Sequence, residues 1–332
     1  MYTDEDIGSA VKAGVLSEDS AKKFRAYVSS QRGVALAEEE QFRVVSGFND
    51  VFVSLACLIS LFSVYWLTKV FAESVSGFWS TAVAAWIISE YFNRKRYMAL
   101  PSIVLALTVT LSFYGAAFKP WWIDSSDSGF WIVLVVVAPL AYWLRFKVPI
   151  AIALAAGGVV ICGQVIGGSF FSDSAYAATT FFFVSGLIVF VIAVRIDLSD
   201  RLRQTRNTDV AFWLHILAGP LVAHSIFSHF NMFSFETGMP IESAIGVIVL
   251  YLFITLISIA FNRRALMVSG LLYITIAVAQ LFRVGTFMET TYSYPITGLI
   301  IGLSLLVITV YWADSRKRLL KSVPDSLKKY LP

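Results

Sequence analysis

The chain has few charged residues: Lys, Arg, Asp and Glu make up 14% of its 332 residues, whereas 58% are hydrophobic. A soluble domain of this length usually has about a quarter of its residues charged, because its surface faces water. The low charge therefore excludes an ordinary soluble fold. A bilayer solvates apolar surface instead, and a spanning helix needs roughly 20 mostly apolar residues. The composition predicts an all-α, polytopic membrane protein.

Cysteine is equally scarce, and the usual catalytic patterns are missing. Cys57 and Cys162 both fall inside apolar runs, so the sequence implies no disulfide framework. No nucleophile elbow, phosphate loop, zinc spacing or pair of catalytic carboxylates occurs. We therefore predict that the protein is not an enzyme and has no catalytic residues. We also expect no metal site, no cofactor and no nucleic-acid partner.

Ten apolar runs follow a polar N-terminal stretch, and each is predicted to be a transmembrane helix in contact with the lipid bilayer. The second, fourth and ninth runs are short, but turns or charges flank each of them. The predicted spans are 51–71, 75–92, 97–118, 129–145, 149–168, 176–195, 209–230, 241–261, 265–282 and 293–313.

The positions of Lys and Arg predict how these spans are oriented. Of the 26 Lys and Arg residues, 23 fall in the two tails and in the loops after spans two, four, six and eight. The three exceptions are Lys69, Lys119 and Arg283. Because cytoplasmic loops hold the basic excess, this alternation predicts ten spans with both termini in the cytoplasm.

An internal repeat at an offset of 169 residues is the most informative pattern. Phe92-Asn93-Arg94 recurs as Phe261-Asn262-Arg263, and Tyr142-Trp143 recurs as Tyr311-Trp312. In all, 14 of the 56 positions from 88 to 143 match their partners. Apolar composition alone does not explain the polar and aromatic matches, so we predict a duplication. Spans one to four would correspond to spans seven to ten as parallel repeats, with spans five and six as an inserted hairpin.

The N-terminal stretch reads as a helical hairpin. Thr3 and Asp6 have capping-box spacing before a first helix that ends near Gly14, and Ser17 caps a second helix that ends near Gln31. Two such short helices bury too little to be stable alone, so we expect them to pack on a protein partner or the membrane surface. The predicted domains are the hairpin (1–49), a first four-helix block (50–147), an inserted helix pair with its cytoplasmic loop (148–207), a second four-helix block (208–313) and a basic cytoplasmic tail (314–332).

Span seven carries the main candidate site. All three histidines, His215, His224 and His229, lie in or at the end of it, and Gly219-Pro220 is close to its middle. Proline removes a helical hydrogen bond and should kink the helix, which frees a carbonyl at membrane depth. A broken helix near the midplane is a common ligand-site pattern in transporters. His215 and His224 are nine positions apart, on nearly opposite faces, so one helix cannot present both to a metal ion.

Gln164, Gln280 and Arg283 complete the candidate ligand or proton site. Gln280 and Arg283 share one face of span nine near its outer end, and Gln164 lies in span five. Polar side chains are costly inside a bilayer and therefore tend to mark ligand or proton pathways. The alternative interpretation of these residues and of the histidines is structural: each would make a hydrogen bond between helices.

The order of the segments, two short N-terminal helices followed by many spans, resembles that of uncharacterised predicted bacterial membrane proteins with a short N-terminal helical domain. The residues that carry this resemblance are Ala13-Gly-Val-Leu-Ser17 between the two short helices and the segment 41–50 that leads into span one. The resemblance covers the first third of the chain. It implies a multi-pass protein of the bacterial inner membrane and no particular activity.

Two functions follow from these patterns. The first is a transporter-like protein, in which the two blocks rock about a small-molecule site near span seven; the substrate is unknown. Little buried charge is available for proton or sodium coupling, which weighs against it. The second is a membrane scaffold, sensor or assembly partner that docks through its cytoplasmic hairpin. A cavity lined by His215, His224, Gln164 or Gln280 would favour the first.

Overall fold

A computed structural model describes residues 4–32, 48–71, 74–123, 128–168, 175–200, 205–230, 240–284 and 290–324. No strand occurs in these ranges, in agreement with the all-α prediction. The helices are α1 (Asp4–Lys12), α2 (Glu18–Arg32), α3 (Phe48–Phe71), α4 (Ser74–Phe92), α5 (Ala99–Ile123), α6 (Ser128–Phe146), α7 (Ile150–Gly168), α8 (Ala175–Ser199), α9 (Arg206–Phe227), α10 (Ile241–Ala260), α11 (Arg264–Ser269), α12 (Leu271–Val284), α13 (Thr290–Val310) and α14 (Trp312–Ser322).

Residues Met1–Gln41 form a compact unit of their own. Its helices α1 and α2 lie where the sequence predicts a hairpin. Gly14 adopts the left-handed conformation, with φ +72°, just after α1 ends. The Ser17 hydroxyl accepts a hydrogen bond from the Ser20 backbone N–H at 3.1 Å and so caps α2. Phe24 and Tyr27 of α2 are exposed, which leaves apolar surface on this unit.

The second unit, Phe42–Pro332, contains the apolar helices. Six of its described helices are long and apolar enough to cross a membrane, and the pair 295–310 and 312–322, bent by 71°, would be a seventh. They are compatible with an integral membrane protein; the count of ten spans stays a prediction. The six are Phe48–Phe71, Ala99–Ala117, Ile150–Gly167, Tyr176–Ser199, Arg206–Phe227 and Ile241–Ala260.

The other predicted spans also overlap helices, two of which have short apolar parts. Val133–Phe146 and Leu271–Phe282 are apolar and below the spanning length. The ninth predicted span is divided between α11 and α12 at Gly270. A side chain there would meet the Tyr251 ring at 2.8 Å, so this position brings the divided helix close to α10.

Large apolar side chains are exposed along the helices of the second unit. On α3, for example, Phe52, Phe62 and Leu67 are all more than half exposed. Contiguous apolar surface of this kind is a liability in water and is solvated by hydrocarbon. The exposure pattern is therefore the one expected of helices that face lipid.

The helices of the second unit pack mainly on their neighbours in the chain. In the first predicted block α3 contacts α4 and α5, α4 contacts α5, and α5 contacts α6. Helix α7 packs on α6 and α9, and α8 packs along α9. In the second predicted block α10 contacts α11 and α12, and α12 contacts α13. These contacts place α9 next to both inserted helices, α7 and α8.

Gly158 allows α7 to approach the backbone of α6 closely. A Cβ at this position would lie 2.6 Å from the carbonyl oxygen of Val135 on α6. A Cβ at Gly163 would lie 2.7 Å from the Phe181 ring of α8, whereas a Cβ at Gly167 would have no atom within 4 Å. Small residues let membrane helices approach closely. Of the Gly163-x-x-x-Gly167 pair, only Gly163 is in close contact.

Gly158→Ala is expected to destabilise the protein by about 1–3 kcal/mol, because the added methyl group forces α6 and α7 apart. Gly167→Ala is the matched control on the same helix. The added methyl group meets open space, and alanine is more favourable than glycine in a helix by about 1 kcal/mol. This variant should therefore be as stable as the unmodified protein or more stable. Unfolding in SDS, followed by circular dichroism, measures both. Equal stability of the two variants would contradict the close approach.

The residues that carry the sequence repeat contact one another within each predicted block. In the first, the Asn93 side-chain amide donates to the Tyr142 hydroxyl at 2.7 Å. In the second, the Trp312 indole N–H donates to the Asn262 side-chain oxygen at 2.8 Å. The basic side chains of Lys147 and Arg264 lie over Trp143 and Trp312, 5.5 and 5.2 Å from the ring centroids. In both blocks the asparagine of the repeat is thus hydrogen-bonded to one residue of the Tyr-Trp pair.

Candidate functional site

Helix α9 positions the candidate site. Its N-cap is Thr205, whose hydroxyl accepts from the Asn207 backbone N–H at 3.2 Å, and the helix continues through Pro220 to Phe227. Whether Gly219-Pro220 bends the helix stays a prediction. One face of α9 is buried against its neighbours and includes Leu214, His215, Ala218 and Gly219.

A second face of α9 borders a cavity of about 470 Å³. Its lining residues on α9 recur every three or four positions, which is the spacing of one helix face. Pockets for small molecules have volumes of about 300–1,000 Å³, so this one is large enough for a ligand. The lining comprises Leu107 of α5, Ile150, Ala153 and Leu154 of α7, Phe182 of α8, and Trp213, Ile216, Leu217, Pro220, Leu221 and His224 of α9.

His224 is the one titratable side chain in this lining, and its ring orientation is fixed from another helix. Its Nδ1 lies 2.7 Å from the Tyr273 hydroxyl of α12. Tyr273 in turn stacks on Phe227, with ring centroids 4.5 Å apart. Nε2 of His224 has no hydrogen-bond partner within the described part of the chain. The side chain of His224 is exposed and lies at the cavity wall.

The other histidine with a described side chain lies elsewhere. His215 is fully buried, and its Nδ1 is 2.7 Å from the Ala211 carbonyl oxygen one turn earlier. Its ring meets the edge of Phe190, with centroids 5.5 Å apart. Its Nε2 is buried without a partner among the described residues. His215 and His224 therefore occupy different environments, and His215 does not line the cavity.

The remaining sequence candidates do not join this site. Gln280 is buried on α12 and Gln164 is half-buried on α7, and neither lines the cavity. Gly219 is buried on the packed face of α9, next to Pro220. The side chain of Arg283 lies outside the described residues. The structure thus brings Pro220 and His224 together and leaves the other candidates apart.

A buried ion pair near the C-terminal end of α8 was missed in the sequence. Asp197 and Arg263 are 2% and 1% exposed. Arg263 donates to both carboxylate oxygens, with Nε 3.1 Å from Oδ2 and Nη2 in contact with Oδ1. A two-point pair of this kind fixes direction as well as distance. It joins α8, which supplies Phe182 to the cavity, to the turn after α10.

A second buried carboxylate stands close to it in the chain. Asp200 Oδ2 accepts from the Thr205 backbone N–H at 2.8 Å, from the Thr205 hydroxyl at 2.6 Å and from the Thr208 hydroxyl at 3.0 Å. These bonds tie the end of α8 to the start of α9. Within the described ranges, no three His, Cys, Asp or Glu side chains cluster as a metal site would require.

Comparison of the chain with protein-family models, curated proteins and solved structures gives no match.

Proposed function

We propose that this chain is a transporter-like integral membrane protein with a small-molecule site beside α9. The observation that carries the proposal is the cavity of about 470 Å³ lined by Pro220 and His224. A cavity at a proline-bearing transmembrane helix, between two repeats, is where secondary transporters bind their substrates. A scaffold needs no such space. The proposal is non-enzymatic and involves no cofactor.

The composition of the cavity wall supports a site between moving parts. Leu107 belongs to the first block, Ala153 and Phe182 to the inserted pair, and Leu217 and His224 to the second block. Rigid-body movement of one block against the other would change the spacing of these walls. Such a movement is how alternating access works in repeat transporters.

The parallel repeat is part of the proposal. Its support is that the equivalent residues Asn93 and Asn262 each make a hydrogen bond to one member of the recurring Tyr-Trp pair, Asn93 to Tyr142 and Asn262 to Trp312. The repeated residues thus have a shared structural task, which random matches in apolar sequence would not give. The helix contacts within 74–146 and 241–310 also follow a similar order.

Ten spans with both termini in the cytoplasm of a bacterial inner membrane complete the proposal. The distribution of 23 of the 26 Lys and Arg residues supports this orientation. Each predicted span overlaps a helix of the structure, although only six of the described helices reach full length and hydropathy by themselves. The bacterial location rests on the family resemblance alone.

The alternative is a membrane scaffold, sensor or assembly partner that docks through its N-terminal unit. The exposure of Phe24 and Tyr27, 47% and 62%, favours it. Aromatic side chains exposed on a small unit are typical of surfaces that bind another protein. This alternative requires no relative movement of the two blocks.

Distance measurements between the blocks separate the two functions. Lys95→Cys and Lys317→Cys, in a background with Cys57→Ala and Cys162→Ala, place spin labels on an exposed inner position of the first block and on α14, which directly follows the second block. In proteoliposomes the transporter-like function predicts two distance populations, because the blocks rock. A control pair within the first block, Lys95→Cys with Leu144→Cys, should give one population.

A single narrow distance for both label pairs would contradict the transporter-like function and favour the scaffold. The same cysteines check orientation before spin labelling. A membrane-impermeant maleimide should block positions 95 and 317 only from the cytoplasmic side of oriented vesicles. Reaction of either position from the opposite side would overturn the proposed topology.

A further inference from the structure

We propose that the cavity binds a neutral, elongated apolar molecule that carries one hydroxyl group, with that hydroxyl at His224. The molecule would be the substrate of the transporter-like activity, so this inference rests on the proposed function. Three features of the cavity lead to this ligand class: its length along α9, the chemistry of its wall and the free nitrogen of one imidazole.

The cavity extends along much of α9. Its lining on that helix runs from Trp213 to His224, eleven residues apart. At 1.5 Å per residue this is about 16 Å, roughly half the 30 Å hydrocarbon thickness of a bilayer. Leu107, Leu154 and Phe182 supply facing walls from three other helices. A long, narrow ligand such as a single acyl or isoprenoid chain fits a space of this shape.

The wall of the cavity excludes a charged ligand. None of its eleven residues is Asp, Glu, Lys or Arg, and ten of them are apolar or aromatic. A carboxylate or ammonium group placed there would be desolvated with no opposite charge beside it. Such a group costs far more to bury than a neutral one. An apolar chain, in contrast, contacts the wall along its whole length.

His224 determines the polar group of the ligand. Its Nδ1 is engaged by the Tyr273 hydroxyl, and Nε2 carries no hydrogen bond among the described residues. If Tyr273 donates to Nδ1, Nε2 bears the proton and needs an acceptor. If Nδ1 donates instead, Nε2 needs a donor. A hydroxyl both donates and accepts, so it satisfies either tautomer, whereas an ester or ketone satisfies only one.

Photolabelling of the full chain in lipid nanodiscs tests this ligand class. The probe is a hexadecanol analogue with a diazirine in its chain, and mass spectrometry locates the labelled residues. We expect labels on the cavity residues and their loss in Leu217→Trp and in Ala153→Leu, which fill the space from two different helices. Val249→Trp, at an exposed position of α10 outside the cavity, is the matched control and should leave the labelling unchanged.

Competition tests the hydroxyl. Unlabelled hexadecanol should displace the probe about tenfold better than hexadecane, as expected for one hydrogen bond, and better than palmitate, which is charged. His224→Leu should remove the preference for the alcohol over the alkane, and His224→Gln should restore part of it. Equal competition by all three compounds would overturn the assignment of the polar group.

The outcomes also distinguish this inference from the proposed function. Labelling that persists in both filled-cavity variants would reflect bilayer contact and would overturn the ligand class, even if the blocks show two distances. Cavity-specific labelling with a single distance between the blocks would keep the ligand and overturn transport. Melting temperatures of the variants check that each remains folded.

Discussion

Arg263→Met is expected to destabilise the protein by about 3–5 kcal/mol, because it leaves the Asp197 carboxylate buried and uncompensated. Both side chains are almost fully buried, and Arg263 contacts both oxygens of Asp197. The bond joins α8 to the turn between α10 and α11, so its loss should also loosen the wall that carries Phe182. SDS unfolding followed by circular dichroism measures the change in the free energy of unfolding.

Two controls make this prediction specific. Replacing both partners, as Asp197→Leu with Arg263→Met, should recover most of the lost stability, since a well-packed apolar pair can replace a buried ion pair. Arg145→Met removes a partner of Glu90 in an exposed pair at 2.7 Å and should have a small effect. An Arg263→Met protein as stable as Arg145→Met would show that the buried pair is not formed.

Asn262→Ala is expected to cost about 2–5 kcal/mol, because it removes a hydrogen bond and strains the backbone. Asn262 accepts from the Trp312 indole at 2.8 Å and has a left-handed backbone with φ +54°. Asparagine tolerates that conformation, whereas alanine does not adopt it readily. The same unfolding measurement applies, and near-UV circular dichroism should report a changed Trp312 environment.

The variants that separate the two causes come from the chain itself. Asn262→Gly removes the side-chain bond to Trp312 but accepts the left-handed backbone without strain, so its effect should be smaller than that of Asn262→Ala. Asn93→Ala, in the other block, removes a bond to Tyr142 at a residue without positive φ. It should therefore cost about 1–3 kcal/mol. Equal losses for Asn262→Ala and Asn262→Gly would contradict the backbone contribution.

The candidate site shows where sequence reasoning stops. Pro220 and His224 stand out in the sequence because a proline and an imidazole are unusual in an apolar helix. Tyr273 does not stand out, and its bond to His224 joins residues 49 positions apart. Gln280 and Gln164 look equally notable in the sequence but lie away from the cavity. Polar residue type indicates a cost of burial, and it does not indicate which residues face one another.

The buried ion pair shows the same limit of sequence reasoning. The repeat identifies Arg263 as the partner of Arg94, which makes an exposed pair with Glu90 four residues earlier. Arg263 instead pairs with Asp197, 66 positions away on an inserted helix. Position in the repeat therefore does not indicate the partner of Arg263, which is decided by the packing of α8.

The sequence by itself determined the apolar, membrane-compatible class, the helical fold and the approximate position of most helices, but not the division at Gly270 or the helix α14. Length and hydropathy are properties of a continuous segment, and caps such as Ser17 and Thr205 act within a few residues of their position. The tertiary structure alone decided the cavity, the Tyr273 contact, the Asn262–Trp312 bond and the approach at Gly158. Helices that are apolar all round carry no polar stripe to mark their inward face, so their rotation and partners follow from side-chain packing in three dimensions.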